Sequence, residues 1–135
     1  MTNHMIRDLL LVAIGGALGA MSRFAVGLLA ARWLGKEFPW GTLLVNVAGC
    51  FAIGIVLRVV LQLESASDET RVAIWQRGVA VGFLGGLTTF STFSADTVTA
   101  LSSGRSGLAI LNIAANVLLC LAATWAGMAL IAQRV

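Results

Sequence analysis

Four apolar runs, each long enough to cross a bilayer as a helix, dominate this chain of 135 residues. A helical span takes about 20 predominantly apolar residues. The runs are roughly Met5 to Ala31, Pro39 to Leu63, Val72 to Leu101 and Gly107 to Ala132. Hydrophobic residues make up 59% of the chain and charged residues only 11%. That is too little charge to cover a soluble domain of this size. The expectation is an all-α integral membrane protein, a single domain over residues 1–135 with four transmembrane helices. The first run is too long and too rich in glycine for a signal-peptide core, so it is expected to be retained.

Charge is sparse and scattered. Nine Lys plus Arg against six Asp plus Glu give a net charge of +3, and the pI is about 9.7. The basic residues form no patch, which argues against nucleic acid as a partner. They read instead as topology signals flanking the spans. Four spans place both termini on one side, with Arg7, Arg58, Arg71, Arg77 and Arg134. Arg23, Arg32, Lys36 and Arg105 fall on the other. A balance this even is compatible with one orientation set by the first helix, or with copies that insert both ways and pair antiparallel. Four short helices also make a poor container for an aqueous path, so a homodimer in the lipid bilayer is favoured. Gly15/Gly19 and Gly82/Gly86 have the small-xxx-small spacing that suits close helix contact. Trp33, Trp40 and Trp75 sit near span ends, as interfacial tryptophans should.

Several chemistries are excluded early. The one histidine, His4, precedes the first span, so no His-based zinc site or His-centred triad can be built. Cys50 and Cys120 each lie inside an apolar run, without a CxxC pair, and read as small packing residues.

The third run is the chemically unusual one. Its length is about 30 residues, near 45 Å as a straight helix, against a hydrocarbon core of about 30 Å. Its middle reads Gly82-Phe83-Leu84-Gly85-Gly86-Leu87-Thr88-Thr89-Phe90-Ser91-Thr92-Phe93-Ser94. Paired glycines followed by paired threonines predict a break at membrane depth. Broken backbone there is tolerated only when buried in protein or lining a watery cavity. Freed carbonyls can hold a small hard cation such as Na⁺, yet the residues alone favour a kink re-satisfied by its own threonines. Beyond it come five hydroxyls in seven residues, Thr88, Thr89, Ser91, Thr92 and Ser94, interleaved with Phe90 and Phe93. Hydroxyl donors and the positive edges of aromatic rings suit a dehydrating anion better than a cation.

Polar stripes recur at a spacing of four, Thr42, Asn46 and Cys50 in the second run and Asn112, Asn116, Cys120 and Thr124 in the fourth. Each stripe occupies one helix face, serving either as interhelical glue or as a pore wall. Arg23 falls near the end of the first span, where it either snorkels to the headgroups or concentrates anions at a pore mouth. Asp96 is the only carboxylate inside a span.

At these residues the chain resembles the Fluc (CrcB) family of bacterial fluoride channels. The resemblance rests on Gly15-Gly16-Ala17-Leu18-Gly19-Ala20 with Arg23, on Trp40-Gly41-Thr42-Leu43-Leu44-Val45-Asn46, and above all on Gly82 to Ser94. It implies a multi-pass protein of the bacterial inner membrane, an antiparallel dual-topology homodimer with two pores. Phe90 and Phe93 match the family's pore phenylalanines, Asn46 its pore asparagine and Arg23 its vestibule arginine. Ser91 and Thr92 join them as candidate donors to fluoride. Gly85 and Thr88 match positions whose carbonyls bind a structural Na⁺ at the dimer interface, which reverses the preference for an ion-free kink. Three positions depart from the family pattern. Asn112 and Asn116 stand where tyrosine and serine are frequent, with Asn116 able to replace the hydroxyl as a donor, and Asp96 stands where glutamate is common.

The function implied is passive export of fluoride from the cytoplasm. The runner-up is a small proton-coupled multidrug exporter, which needs a carboxylate deep in a span, with Asp96 the sole candidate. A third alternative is a membrane assembly subunit that transports nothing. An enzyme is disfavoured, because no nucleophile–base pair or metal-ligand cluster is visible.

Overall fold

The computed structural model describes residues 2–132. Arg134, one of the cations counted above, lies outside them. Four helical spans are long and apolar enough to cross a membrane: His4–Trp33, Trp40–Ser65, Glu69–Ser102 and Ser106–Ile131. The first two are the helices α1 (Thr2–Trp33) and α2 (Trp40–Ser65). The third is composite, built from α3 (Glu69–Ala73), a π-helix π1 (Ile74–Leu84), a single turn α4 (Gly85–Leu87) and α5 (Phe90–Ser102). The last is α6 (Ser106–Ala132). Span ends differ from the sequence reading by a few residues, because flanking polar residues continue the helices past the apolar runs. Pro39 sits just outside α2, as its N-cap, rather than in its first turn.

The 34 residues of the third span would reach about 51 Å as α-helix. The i→i+5 winding of π1 packs more residues into each turn and takes up part of that excess. Between α4 and α5, Thr88 (φ −80°, ψ 157°) and Thr89 (φ −153°, ψ 112°) are extended. Gly85 is helical, with φ −63° and ψ −36°, so the helical winding stops at the threonines, not at the glycines.

The glycines have a different use. α1 packs chiefly against π1, and α2 against α6. A Cβ on Gly15 would stand 3.1 Å from the Cα of Gly82, and one on Gly86 3.1 Å from the Cα of Gly16. The two small-xxx-small motifs therefore meet each other within one chain, bringing α1 and the third span to backbone contact. Gly54 and Gly127 do the same for α2 and α6. A Cβ on Gly54 would fall on the carbonyl of Thr124, and one on Gly127 on the carbonyl of Phe51. Val56, Val60 and Leu84 form a small core between α2 and π1, with Trp75 packed against it rather than lying free at the interface.

Outward faces carry large exposed apolar residues, among them Leu9, Ile14, Leu18, Phe24 and Leu28 on α1 and Leu118, Leu121 and Trp125 on α6. This suits a lipid solvent or a second chain. On the side of the termini, Asp8 pairs with Arg77 at 2.6 Å and with Arg7 at 3.2 Å, tying α1 to π1. Arg23 is not at a helix end. It stands ten residues before Trp33, about 15 Å of helix, with its guanidinium bonded to the Thr88 carbonyl. It is therefore an interior cation, which leaves Arg32, Lys36 and Arg105 on that flank against five on the other.

Two turns close in the same way. After α5, Gly104 (φ 72°) lets Arg105 N–H donate to the Ala100 carbonyl and its own N–H to Leu101. After α2, Asp68 and Ser67 donate likewise to Leu63 and Glu64, but here the left-handed residue is Ser67, at φ 56°. Both are Schellman closures, and a side chain in that region costs roughly 1–2 kcal/mol. Ser67→Gly is expected to stabilise the folded chain by about 1 kcal/mol, read as a higher Tm in detergent. An unchanged or lower Tm would count against this account of the turn.

Candidate functional site

The site is organised by the two extended threonines. An α-helix running through them would give the Thr89 N–H to the carbonyl of Gly85. Instead Thr89 N–H donates to Oδ1 of Asn46 at 2.8 Å, and Asn46 Nδ2 donates to the Thr89 carbonyl at 3.3 Å. One side-chain amide thus pairs with both polar groups of one residue, as a neighbouring strand would. Because the Thr89 N–H needs an acceptor, this pairing also fixes which way the Asn46 amide faces. Asn46 holds this position because period-four placement turns it to the inner face of α2, one turn from buried Thr42 and Gly49.

From Asn46 a chain of amides runs along α6. Asn46 Nδ2 donates to Asn116 Oδ1 at 3.1 Å, and Asn116 Nδ2 to Asn112 Oδ1 at 3.0 Å and to its carbonyl at 3.1 Å. Asn112, fully buried, donates to Thr97 Oγ1 at 2.9 Å. Neither Asn46 nor Asn116 has an uncommitted N–H in this arrangement. The longest and weakest of these bonds runs from Asn46 to the Thr89 carbonyl.

Thr89, itself 6% exposed, caps α5. Its Oγ1 accepts from Thr92 N at 3.1 Å and donates to Thr92 Oγ1 at 3.0 Å, and it stands 3.1 Å from Ser91 Oγ. The Ser91 and Thr92 hydroxyls therefore serve the cap. On the other side of the interruption, Thr88 Oγ1 returns to the Leu84 carbonyl at 2.9 Å, while the Thr88 carbonyl accepts from Arg23 at 3.2 Å. The first half of the span ends in carbonyls, the negative end of a helix, and there Arg23 supplies a cation. The second half begins with amide N–H groups, the positive end.

A cleft of 530 Å³ opens beside this junction. Asn46, Gly85, Thr88, Phe90, Phe93 and Asn116 are on its wall, with Cys50 and Cys120 one turn further along α2 and α6. The Phe90 and Phe93 rings lie 5.4 Å apart and tilted by 52°, and Phe90 is 79% exposed at the open side. Of the residues singled out from sequence, the cleft gathers Phe90, Phe93, Asn46, Asn116, Gly85 and Thr88. It does not gather Arg23, Ser91 or Thr92. Thr92 faces a separate 330 Å³ vestibule with Lys36, Asp96 and Arg105, where Asp96 accepts from Thr42 at 2.9 Å. Thr89 was one hydroxyl among five in the sequence, and its signal as the pivot was only its place just before a helix start.

A family model described as CrcB-like protein, Camphor Resistance (CrcB), matches residues 10–128, from within α1 to within α6. A Rhizobium etli protein named fluoride-specific ion channel FluC is 46% identical over 121 residues, covering 90% of this chain and 93% of the relative. A protein of the same name from Geobacter sulfurreducens is 44% identical over 119 residues, covering 88% of this chain and 92% of that one. Another, from Hydrogenovibrio crunogenus, is 44% identical over 127 residues, covering 94% and 92%. The matched residues include every one named in the cleft and at the junction: this chain belongs to the CrcB family.

Proposed function

We propose that this chain is a fluoride-selective channel that lets fluoride leave the cytoplasm down its gradient, in a bacterial inner membrane. The observation that carries the reading is the cleft at the Thr88–Thr89 junction, which Phe90 and Phe93 line at the amide-first end of α5. Fluoride gives up strongly held water to enter such a place. Ring edges, helix N–H groups and the weakly held Asn46 N–H are donors without a mobile proton, suited to passing an anion rather than trapping it. The names of the relatives supply the identity of that anion.

In this reading Asn46 is a positioning residue that holds the extended threonines, and Asn116 and Asn112 hold Asn46. Phe90 and Phe93 face the ion. Arg23 raises anion concentration through the junction rather than from a mouth. The exposed Phe90 and the apolar outer faces of α1 and α6 support a homodimer, antiparallel and of dual topology, in which a second copy closes the open side of the cleft. The donor chemistry of the junction fits a Na⁺ ion. Gly85 has lost the Thr89 N–H as partner for its carbonyl, and the Thr88 carbonyl keeps a lone pair beyond its bond to Arg23. Carbonyl oxygens are hard ligands that suit a small monovalent cation. Bound there, it would supply positive charge that holds the two copies together.

Three outcomes are expected. Liposomes containing the protein should release fluoride and retain chloride, and replacing Na⁺ with a larger organic cation should abolish release. Absence of fluoride flux would sink the proposal. Phe90→Ile should lower fluoride efflux by at least about tenfold, a barrier increase of about 1.4 kcal/mol, with Tm unchanged. Asn46→Leu preserves bulk but strips the Thr89 backbone of its partner, so it should cost about 1–3 kcal/mol of stability and remove flux. A variant as stable as the parent would refute the positioning role of Asn46.

A further inference from the structure

Beyond Asn46 and Asn116, α2 and α6 run on side by side in parallel register. Asn46 bonds Asn116, and two turns later a Cβ on Gly54 would fall on the Thr124 carbonyl. The turn between them places Cys50 opposite Cys120. Both line the cleft. Both are free thiols, and they are the only cysteines of the chain. Neither takes part in the junction described above.

We propose that Cys50 and Cys120 form a two-coordinate site for one soft divalent cation of the mercury(II) type, bridging α2 and α6 along the cleft wall. Thiolates select soft metals. Zinc wants four ligands, and among the described residues no group of three or more His, Cys, Asp or Glu could hold a metal ion. Two thiolates on a monovalent ion such as Ag⁺ or Cu⁺ would leave a net negative charge at membrane depth, which is costly. Two thiolates on mercury(II) leave a neutral S–Hg–S bridge, and that ion accepts linear coordination. With mercuric chloride, two S–H bonds break and two S–Hg bonds form. Two protons go to the buffer and two chlorides are released, with no change of oxidation state. Binding does not depend on fluoride conduction. Block of the cleft rests on the function proposed above.

The test uses reduced full-length protein in detergent and mercuric chloride as the probe, followed by a monothiol wash. Denaturing mass spectrometry should find one mercury per single chain, and thiol titration should find both cysteines consumed. Cys50→Ser and Cys120→Ser should each lose mercury to the wash at least about tenfold more readily than the parent. In liposomes, mercuric chloride should reduce fluoride efflux of the parent at least about tenfold, and of neither variant. Two mercury ions per chain, none, one that leaves a thiol free, or chains joined in pairs through mercury would each overturn the proposal. So would a serine variant that holds mercury as firmly as the parent. If the serine variants fail to fold, the ratio of one mercury to two thiols in the parent still decides. One bridging mercury without loss of flux would confirm the site but overturn its blocking role.

Discussion

The pairing of the Asn46 amide with the Thr89 backbone is the interaction on which the rest depends. In a hydrocarbon environment an unsatisfied peptide group costs several kcal/mol, so two extended residues inside a span need a partner of matching shape. Asn46 offers one acceptor and one donor at the right separation. Because its amide is committed there, it must in turn be held, and Asn116, Asn112 and Thr97 form the chain that holds it. The junction splits one span into two half-helices with opposite ends facing each other. Carbonyls on one side favour a cation and N–H groups on the other favour an anion. A single interruption thereby sets helix ends of opposite polarity side by side, and Arg23 stands at the carbonyl end.

Close approach of helices gives this junction its rigidity. α1 lies against π1 through glycines on both partners, and α2 against α6 through Gly54 and Gly127. Neither contact depends on a large apolar core, since in lipid the gain comes from van der Waals fit and not from removing water. That is why the cluster of Val56, Val60 and Leu84 can be small while the outer faces carry most of the large side chains.

The four spans were legible in the sequence, because bilayer thickness sets helix length and the apolar runs meet it. The third run announced a non-helical stretch by its length and its Gly-Thr content. Composition could not place it, since the glycines serve helix contact and the threonines carry the extended dihedrals. The π winding of Ile74–Leu84 has no compositional signature, as it differs from an α-helix only in which carbonyl each N–H reaches. Arg23 read as a charge near a span end because its partner, Thr88, is 65 residues away. The period-four stripes correctly marked the inner faces of α2 and α6. Sequence left them poised between glue and pore wall, and the geometry shows the asparagines already bonded to one another. Ser91 and Thr92 read as donors to an ion because hydroxyl density says nothing of which hydroxyls a helix cap will claim.

The parallel contact between α2 and α6 also works as a vernier. Amide meets amide at Asn46 and Asn116, Cys50 falls opposite Cys120 in the same register, and glycine meets a bare carbonyl at Gly54 and Thr124. A slip of one helical turn would set Asn116 against Cys50 and Cys120 against Gly54. The asparagine chain would be cut and a side chain driven into backbone. Three unlike contacts in sequence therefore specify a single sliding position of one helix along the other. Uniform leucine faces, equally apolar, would accept many.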